Sequence, residues 1–224
     1  EELSGKKYGE LDVTKAMRII SDHIKAATFI LAEKLEPSNV ERGYVLRRLI
    51  RRAVRYGKQL GINEIFTFKI ANIVINMYRD VYPELYDSRE FIEEQLVREE
   101  EKFDRTLERG LKQFEIQKSK IEMQNNNVKF KIISGEAAFD LYQTYGFPIE
   151  LTEELAKEKN LKVDKIGFDE ALKKHQEISR AGAEQKFKGG LADHSEQTVK
   201  YHTAAHLMLA ALRQVLGSEI IQRG

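Results

Sequence analysis

Apolar residues recur at three- and four-residue steps along most of this chain, the spacing of helices buried on one face. Val13, Met17, Ile20, Ile24, Ala27, Ile30 and Leu31 form one such stripe, predicting a first helix that ends near Glu33, before the break at Pro37. Val45, Leu46, Leu49, Ile50, Ala53 and Val54 predict a second, which closes at Gly57 or Gly61. A third is expected over Phe66 to Tyr78. A fourth, from about Ser88 to Met123, carries Leu96, Phe103, Leu107, Phe114 and Ile121 on a near-heptad stripe, read as the core face of a long bundle helix rather than a coiled-coil seam.

The pattern then breaks at "QNNN". A short extended piece over Val128 to Ile133 is expected, then a helix through Ala138 to Tyr142 that stops at "YGFP", where Gly146 is permissive and Pro148 disfavours helix at Phe147. Helices over Leu151 to Lys159 and Phe168 to Arg180 follow, and "AGAEQKFKGGLADHSEQ" reads as a linker. A last helix spans Thr198 to Leu216, and "SEIIQRG" resembles the start of a strand. The predicted fold is mainly α, a multi-helix bundle over residues 1–182, a linker over 183–197 and a small C-terminal α/β fragment over 198–224.

Composition narrows the class. The longest mostly apolar run, "IANIVINMY", is too short to span a bilayer, so no membrane partner is expected. The first residues, "EELSGKKYGELDV", show no secretory pattern, and the chain has no cysteine, which removes disulfides and thiolate chemistry. A reducing, cytoplasmic setting fits both observations.

Charge changes the picture at one place. The stretch "ERGYVLRRLIRRAVRYGK" gathers Arg42, Arg47, Arg48, Arg51, Arg52, Arg55 and Lys58 against Glu41 alone, in a chain of formal net charge +1. At about 100° per residue, the five arginines from Arg47 to Arg55 fall within an arc of about 140° opposite the apolar stripe. Ser38-Asn39-Val40-Glu41 reads as a capping box that places Asn39 in the first turn. Acids elsewhere, for instance in "REEEKFDRTLER", could neutralise the rows. An anionic membrane face fits poorly without tryptophan, and a nucleic-acid backbone fits best, because guanidinium forks match phosphate oxygens.

A second motif lies near the end. His202 and His206 stand one helical turn apart in "YHTAAHLMLAALRQVLG", a spacing that lets two imidazoles share one metal ion. Thr203, Ala204 and Ala205 lie between them, so the glutamate base of a zinc protease is missing. Asp193, His194 and Glu196 are near in sequence across a linker, and no phosphate loop, nucleophile elbow or dinucleotide fingerprint occurs.

Three blocks together, "PSNVERGYVLRRLIRRAVRYGKQLG", "GEAAFDLYQTYGFPIELTEELAKEKNLKVD" and "HTAAHLMLAALRQVLGSEIIQRG", resemble the alanyl-tRNA synthetases, as does "EEEKFDRTLERGL" between them. The resemblance runs over nearly the whole chain and implies that residues 1–182 form the helical tRNA-recognition domain of an ATP- and Mg-dependent alanine–tRNA ligase. Its partners would be the acceptor stem of tRNA(Ala), read at a G·U pair, and an aminoacylation domain or chain; DNA is not expected as a partner. Asn39 matches the family's asparagine at that pair. Gln143 of "LYQTYG" stands where the family carries an aspartate, and Asp140, one turn earlier, is the alternative acid. Arg42, Arg47, Arg48, Arg51, Arg52 and Arg55 would contact tRNA phosphates.

Residues 198–224 resemble the opening of the editing domain that hydrolyses mischarged tRNA. The resemblance assigns His202 and His206 to a zinc site completed by downstream ligands, and Gln222 and Thr203 to the editing pocket. About twenty residues separate Arg180 from His202, too few for the β-barrel most relatives carry there. Two other classes compete with this reading: a metal-dependent hydrolase built on His202 and His206, and a helical scaffold without a nucleic-acid role.

Overall fold

The computed structural model describes residues 1–124, 131–186 and 196–216. It divides the chain into two compact units, Glu1–Ala171 and Leu172–Gly224. The architecture is mainly α, as the periodicity predicts; the parallel strand pair among the described residues lies within the first unit, and only its first strand falls in the extended piece expected over Val128 to Ile133.

In the first unit, Leu11–Ala32 forms α1 and Glu41–Gln59 forms α2. The α1 stripe is as expected at Val13, Ile20, Ile24, Ala27 and Leu31, and the helix packs along α2, which buries Leu46, Ile50, Ala53 and Val54. Thr67–Tyr78 forms α3, and the short α4, Pro83–Asp87, leads into the 36-residue α5, Arg89–Gln124. Leu96, Phe103, Leu107 and Phe114 of α5 are fully buried, so its near-heptad stripe is core facing α1, α2 and α3.

Two contacts fix how these helices meet. Gly57 of α2 lies against Phe66, where an added Cβ would sit 2.4 Å from the ring. The carboxylate of Glu100 on α5 accepts from the backbone amide of Thr67 at 2.9 Å and from its hydroxyl at 2.6 Å, so a buried acid takes the open amides at the start of α3. Burial pushes the Glu100 carboxyl above its ordinary range, against the lowering by those hydrogen bonds.

The rest of the first unit is a crossover. Strand β1, Lys131–Ile133, pairs in parallel with β2, Leu161–Val163, in the register Lys131 to Leu161 and Ile133 to Val163. Between them run α6, Gly135–Tyr145, and α7, Ile149–Glu158, the helical connection that parallel strands require. Ser134 caps α6 by accepting from the Ala137 amide. Gly146 ends α6 at φ +73°, in the left-handed region where glycine carries no Cβ penalty, and the Phe147 amide reaches back to the Leu141 carbonyl. Phe147 then fills the core against Phe103 and Gly110.

Helix α8, Lys165–Lys186, begins in the first unit with Phe168 against Phe139 and Tyr142, and the division between units falls within it. In the second unit, α9 spans Glu196–Leu216. The strand expected in "SEIIQRG" lies outside the described residues.

Candidate nucleic-acid interface

Helix α2 begins later than its sequence suggests. Val40 is the N-cap and makes no side-chain capping bond. Ser38, expected as the cap, instead folds a turn: its hydroxyl donates to the Val40 carbonyl at 3.0 Å, and its amide donates to the Gly43 carbonyl at 3.0 Å. The expected capping box is therefore absent, because the hydroxyl is spent inside this turn and Glu41 enters at φ +49°, uncommon for a non-glycine residue. Gly43 permits the turn, since a Cβ there would lie 2.1 Å from the Ser38 hydroxyl oxygen. Asn39 consequently sits in the exposed entry loop rather than in the first turn, with its side-chain oxygen accepting from Arg47.

The arginine rows find carboxylates from two distant elements. Glu99 of α5, buried with both partners, takes Arg51 Nε at 2.6 Å and lies 3.2 Å from Arg47 Nε. Arg51 also donates to the Gly146 carbonyl, clasping the α6 terminus, and its guanidinium lies 5.1 Å from the Phe103 ring centroid. The second source is α7, where Glu150, Glu154 and Glu158 recur at four-residue steps opposite Arg48, Arg52 and Arg55. Arg52 makes a bidentate fork to Glu154, with Nε 2.9 Å and Nη2 2.7 Å from its two oxygens. Two phenols join: Tyr44 donates to Glu150 and Tyr56 to Glu154, both at 2.7 Å. Lys58 pairs with Asp104 on α5 at 2.8 Å.

The acids on α5 belong to the segment the sequence marks as a possible neutraliser; those on α7 do not. Their signal is the same four-residue step as the arginines, visible in "IELTEELAKE" but unassignable to α2 from a hundred residues away.

Electrostatics follow from this arrangement. Burial works to raise the Glu154 carboxyl, but hydrogen bonds from Arg52 and Tyr56 outweigh it and hold the group below its ordinary range. Glu150 is held down in the same way by Tyr44 and Arg48. Burial lowers the pKa of His23, whose Nε2 lies 2.8 Å from Arg52 Nη1. Among the described residues Arg42 is exposed and has no ion pair or hydrogen bond, while Arg48 and Arg52 remain 37% and 33% exposed at the side chain.

Helix α6 meets this region at its end, where Arg51 donates to the Gly146 carbonyl. Burial raises the Tyr142 hydroxyl, and the charges of Arg47 and Arg51 oppose that rise. Gln143 is exposed and has no partner among the described residues. Asp140 is half-buried, and one of its oxygens accepts from the Thr144 hydroxyl at 2.8 Å.

The second motif is less complete. The α9 backbone carries His202 and His206 one turn apart, with Thr203 exposed between them, and Gln222 lies outside the described residues. Among the described residues no three His, Cys, Asp or Glu side chains converge in a metal-binding group. Two histidines alone fall short of a tetrahedral zinc set. No helix among the described residues is long and apolar enough to cross a membrane.

Residues 1–217 match the family model described as tRNA synthetases class II (A). The whole chain is similar to the alanine–tRNA ligase of Treponema pallidum (strain Nichols), 50% identical over 228 residues, and covers 37% of that protein. It is 54% identical over 227 residues to the alanine–tRNA ligase of Treponema denticola, again covering 37% of the relative. A more distant likeness, 44% over 183 residues, covers 81% of this chain and 20% of the alanine–tRNA ligase of Bacillus mycoides (strain KBAB4).

Proposed function

This chain belongs to the class II (A) tRNA synthetases, and from that premise we propose that it recognises the acceptor stem of tRNA(Ala) at a G·U pair within an ATP-dependent alanine–tRNA ligase. The observation that carries the reading is the placement of Asn39: an exposed loop residue whose side-chain oxygen is held by Arg47, which is itself anchored to the Pro37 carbonyl and to Glu99 of α5. With that oxygen engaged, the Asn39 amide group keeps N–H donors that have no partner among the described residues. The wide minor groove of an A-form stem presents the guanine amino donor and base acceptors, so Asn39 would donate to an acceptor while the Gln143 carbonyl oxygen accepts from the guanine amino group. Gln143 suits that role better than Asp140, because it is exposed and unengaged whereas an Asp140 oxygen is occupied by Thr144.

The arginine rows divide between two roles. Arg47, Arg51 and Arg55 are buried and hold the frame, while Arg42 and the exposed parts of Arg48 and Arg52 would contact phosphates beside the pair. Charging would take place in an aminoacylation domain or chain that uses ATP and Mg. Residues 198–224 would open an editing domain in which Thr203 and Gln222 line the pocket and His202 and His206 supply half of a zinc set. The parent protein would act in the cytoplasm.

The test is a pair of RNA hairpins that copy the acceptor stem and differ only in G·U or G·C at the identity position. Asn39→Ala should cost the G·U hairpin about 1 to 3 kcal/mol of binding and leave the G·C hairpin nearly unchanged. An equal loss on both hairpins contradicts the reading.

A further inference from the structure

We propose that the solvent face of α5 is a second RNA contact, a basic ridge that tracks the phosphate backbone beyond the identity pair. At about 100° and 1.5 Å per residue, Arg98, Lys102, Arg105, Arg109 and Lys112 fall within an arc of about 80° and extend about 21 Å along the axis. All five are exposed. Among the described residues Arg98, Lys102 and Lys112 have no ion pair or hydrogen bond. Arg105 reaches Glu101 at 3.7 Å with its side chain 75% exposed, and among the described residues Arg109 makes one hydrogen bond, to the Arg105 carbonyl. The ridge therefore offers what α2 largely does not: cations in water with their donors open. Neighbours three and four residues apart stand about 5 to 6 Å from one another, a spacing suited to successive phosphates.

The two flanks of the ridge differ. Glu94, Glu101 and Glu108 run along one side and repel a phosphate chain, while Glu115 on that side is paired with Lys118 and Lys159. On the other side lies Thr106, between Lys102 and Arg109, and its hydroxyl donates at 2.8 Å to the carbonyl of Tyr145, two residues after Gln143. Among the described residues, the flank without this row of acids leads to the end of α6. A duplex read at Asn39 and Gln143 can thus continue onto α5. The occupant is RNA because the proposed function supplies it, and the ridge rests on that reading; charge complementarity to a phosphate backbone supplies the rest.

The experiment is salt-dependent binding of the same G·U and G·C hairpins to the full chain carrying Lys102→Gln, Arg105→Gln and Arg109→Gln together. The slope of log affinity against log salt should fall by about two to three units with the G·U preference intact, and a companion Arg105→Lys, Arg109→Lys variant should keep the parent slope. An unchanged slope in the glutamine variant overturns the ridge alone, and so does an equal fall in the lysine variant, because charge would then not be the cause. If the slope falls as expected but the unmodified chain shows no preference for G·U, the ridge stands as a phosphate contact and the proposed identity reading fails. Absence of RNA binding by the unmodified chain overturns both.

Discussion

Replacing Glu99 with glutamine tests the arginine frame at its most buried acid. The carboxylate is 4% exposed and faces Arg51 and Arg47, themselves 5% and 9% exposed. Glutamine keeps the shape and one acceptor oxygen but removes the charge, leaving two like charges buried together with no anion between them. Breaking one partner of a buried ion pair costs about 3 to 5 kcal/mol, because the surviving charge stays desolvated. Against a total stability of about 5 to 15 kcal/mol this is a large fraction. With a urea m-value of about 2 kcal/mol/M, a loss of about 3 kcal/mol lowers the unfolding midpoint by about 1.5 M. The assay is equilibrium urea unfolding followed by far-UV circular dichroism. Glu158→Gln is the internal comparison: that side chain is 33% exposed and serves Arg55 alone, so its loss should stay below about 1 kcal/mol. If Glu99→Gln costs no more than Glu158→Gln, the arginines are not held as a buried charged unit and the frame is refuted.

Further outcomes follow from the same contacts. Gly110→Ala sets a helix-propensity gain of about 1 kcal/mol against overpacking of about 1 to 3 kcal/mol, because the new Cβ would lie 2.3 Å from the Phe147 ring. The clash should win and lower Tm; a rise in Tm would show that Phe147 moves aside. Glu150 and Glu154 have depressed folded-state pKa values, so their contribution to stability is fully present above the unfolded carboxyl value and is lost as pH falls through the folded one. His23, lowered by burial, adds a loss in the same direction beginning near its ordinary value of 6.5, since the unfolded chain binds that proton more readily. Stability should therefore decline on acidification in an early and a late step, and His23→Gln should remove the early one in a pH series of melts.

The helices were legible where one face repeats often enough to outvote local exceptions. The α1 and α5 stripes each span several turns, so single mismatches such as half-buried Met17 and Ile30 do not disturb them. Short elements lack that redundancy: α4 has five residues, and β1 and β2 have three each, too few for a period to show. The entry to α2 misled for a local reason, because Ser38-Asn39-Val40-Glu41 fits a capping box while Gly43 allows a tighter turn that uses the same hydroxyl. At the candidate site the amphipathic arginine pattern was plain, but its partners were not. Glu150, Glu154 and Glu158 meet Arg48, Arg52 and Arg55 only because the β1–β2 crossover returns α7 to α2, a relation that periodicity within either segment does not contain. The ridge on α5 became distinguishable from α2 only once pairing showed which cations remain open.

The most direct measurement is titration of the unmodified chain with the two acceptor-stem hairpins at one salt concentration. Tighter binding of the G·U hairpin, by about ten-fold or more, is the result expected if Asn39 and Gln143 read the minor groove. Equal affinity for G·U and G·C would contradict it, leaving a surface that grips the backbone without reading the pair.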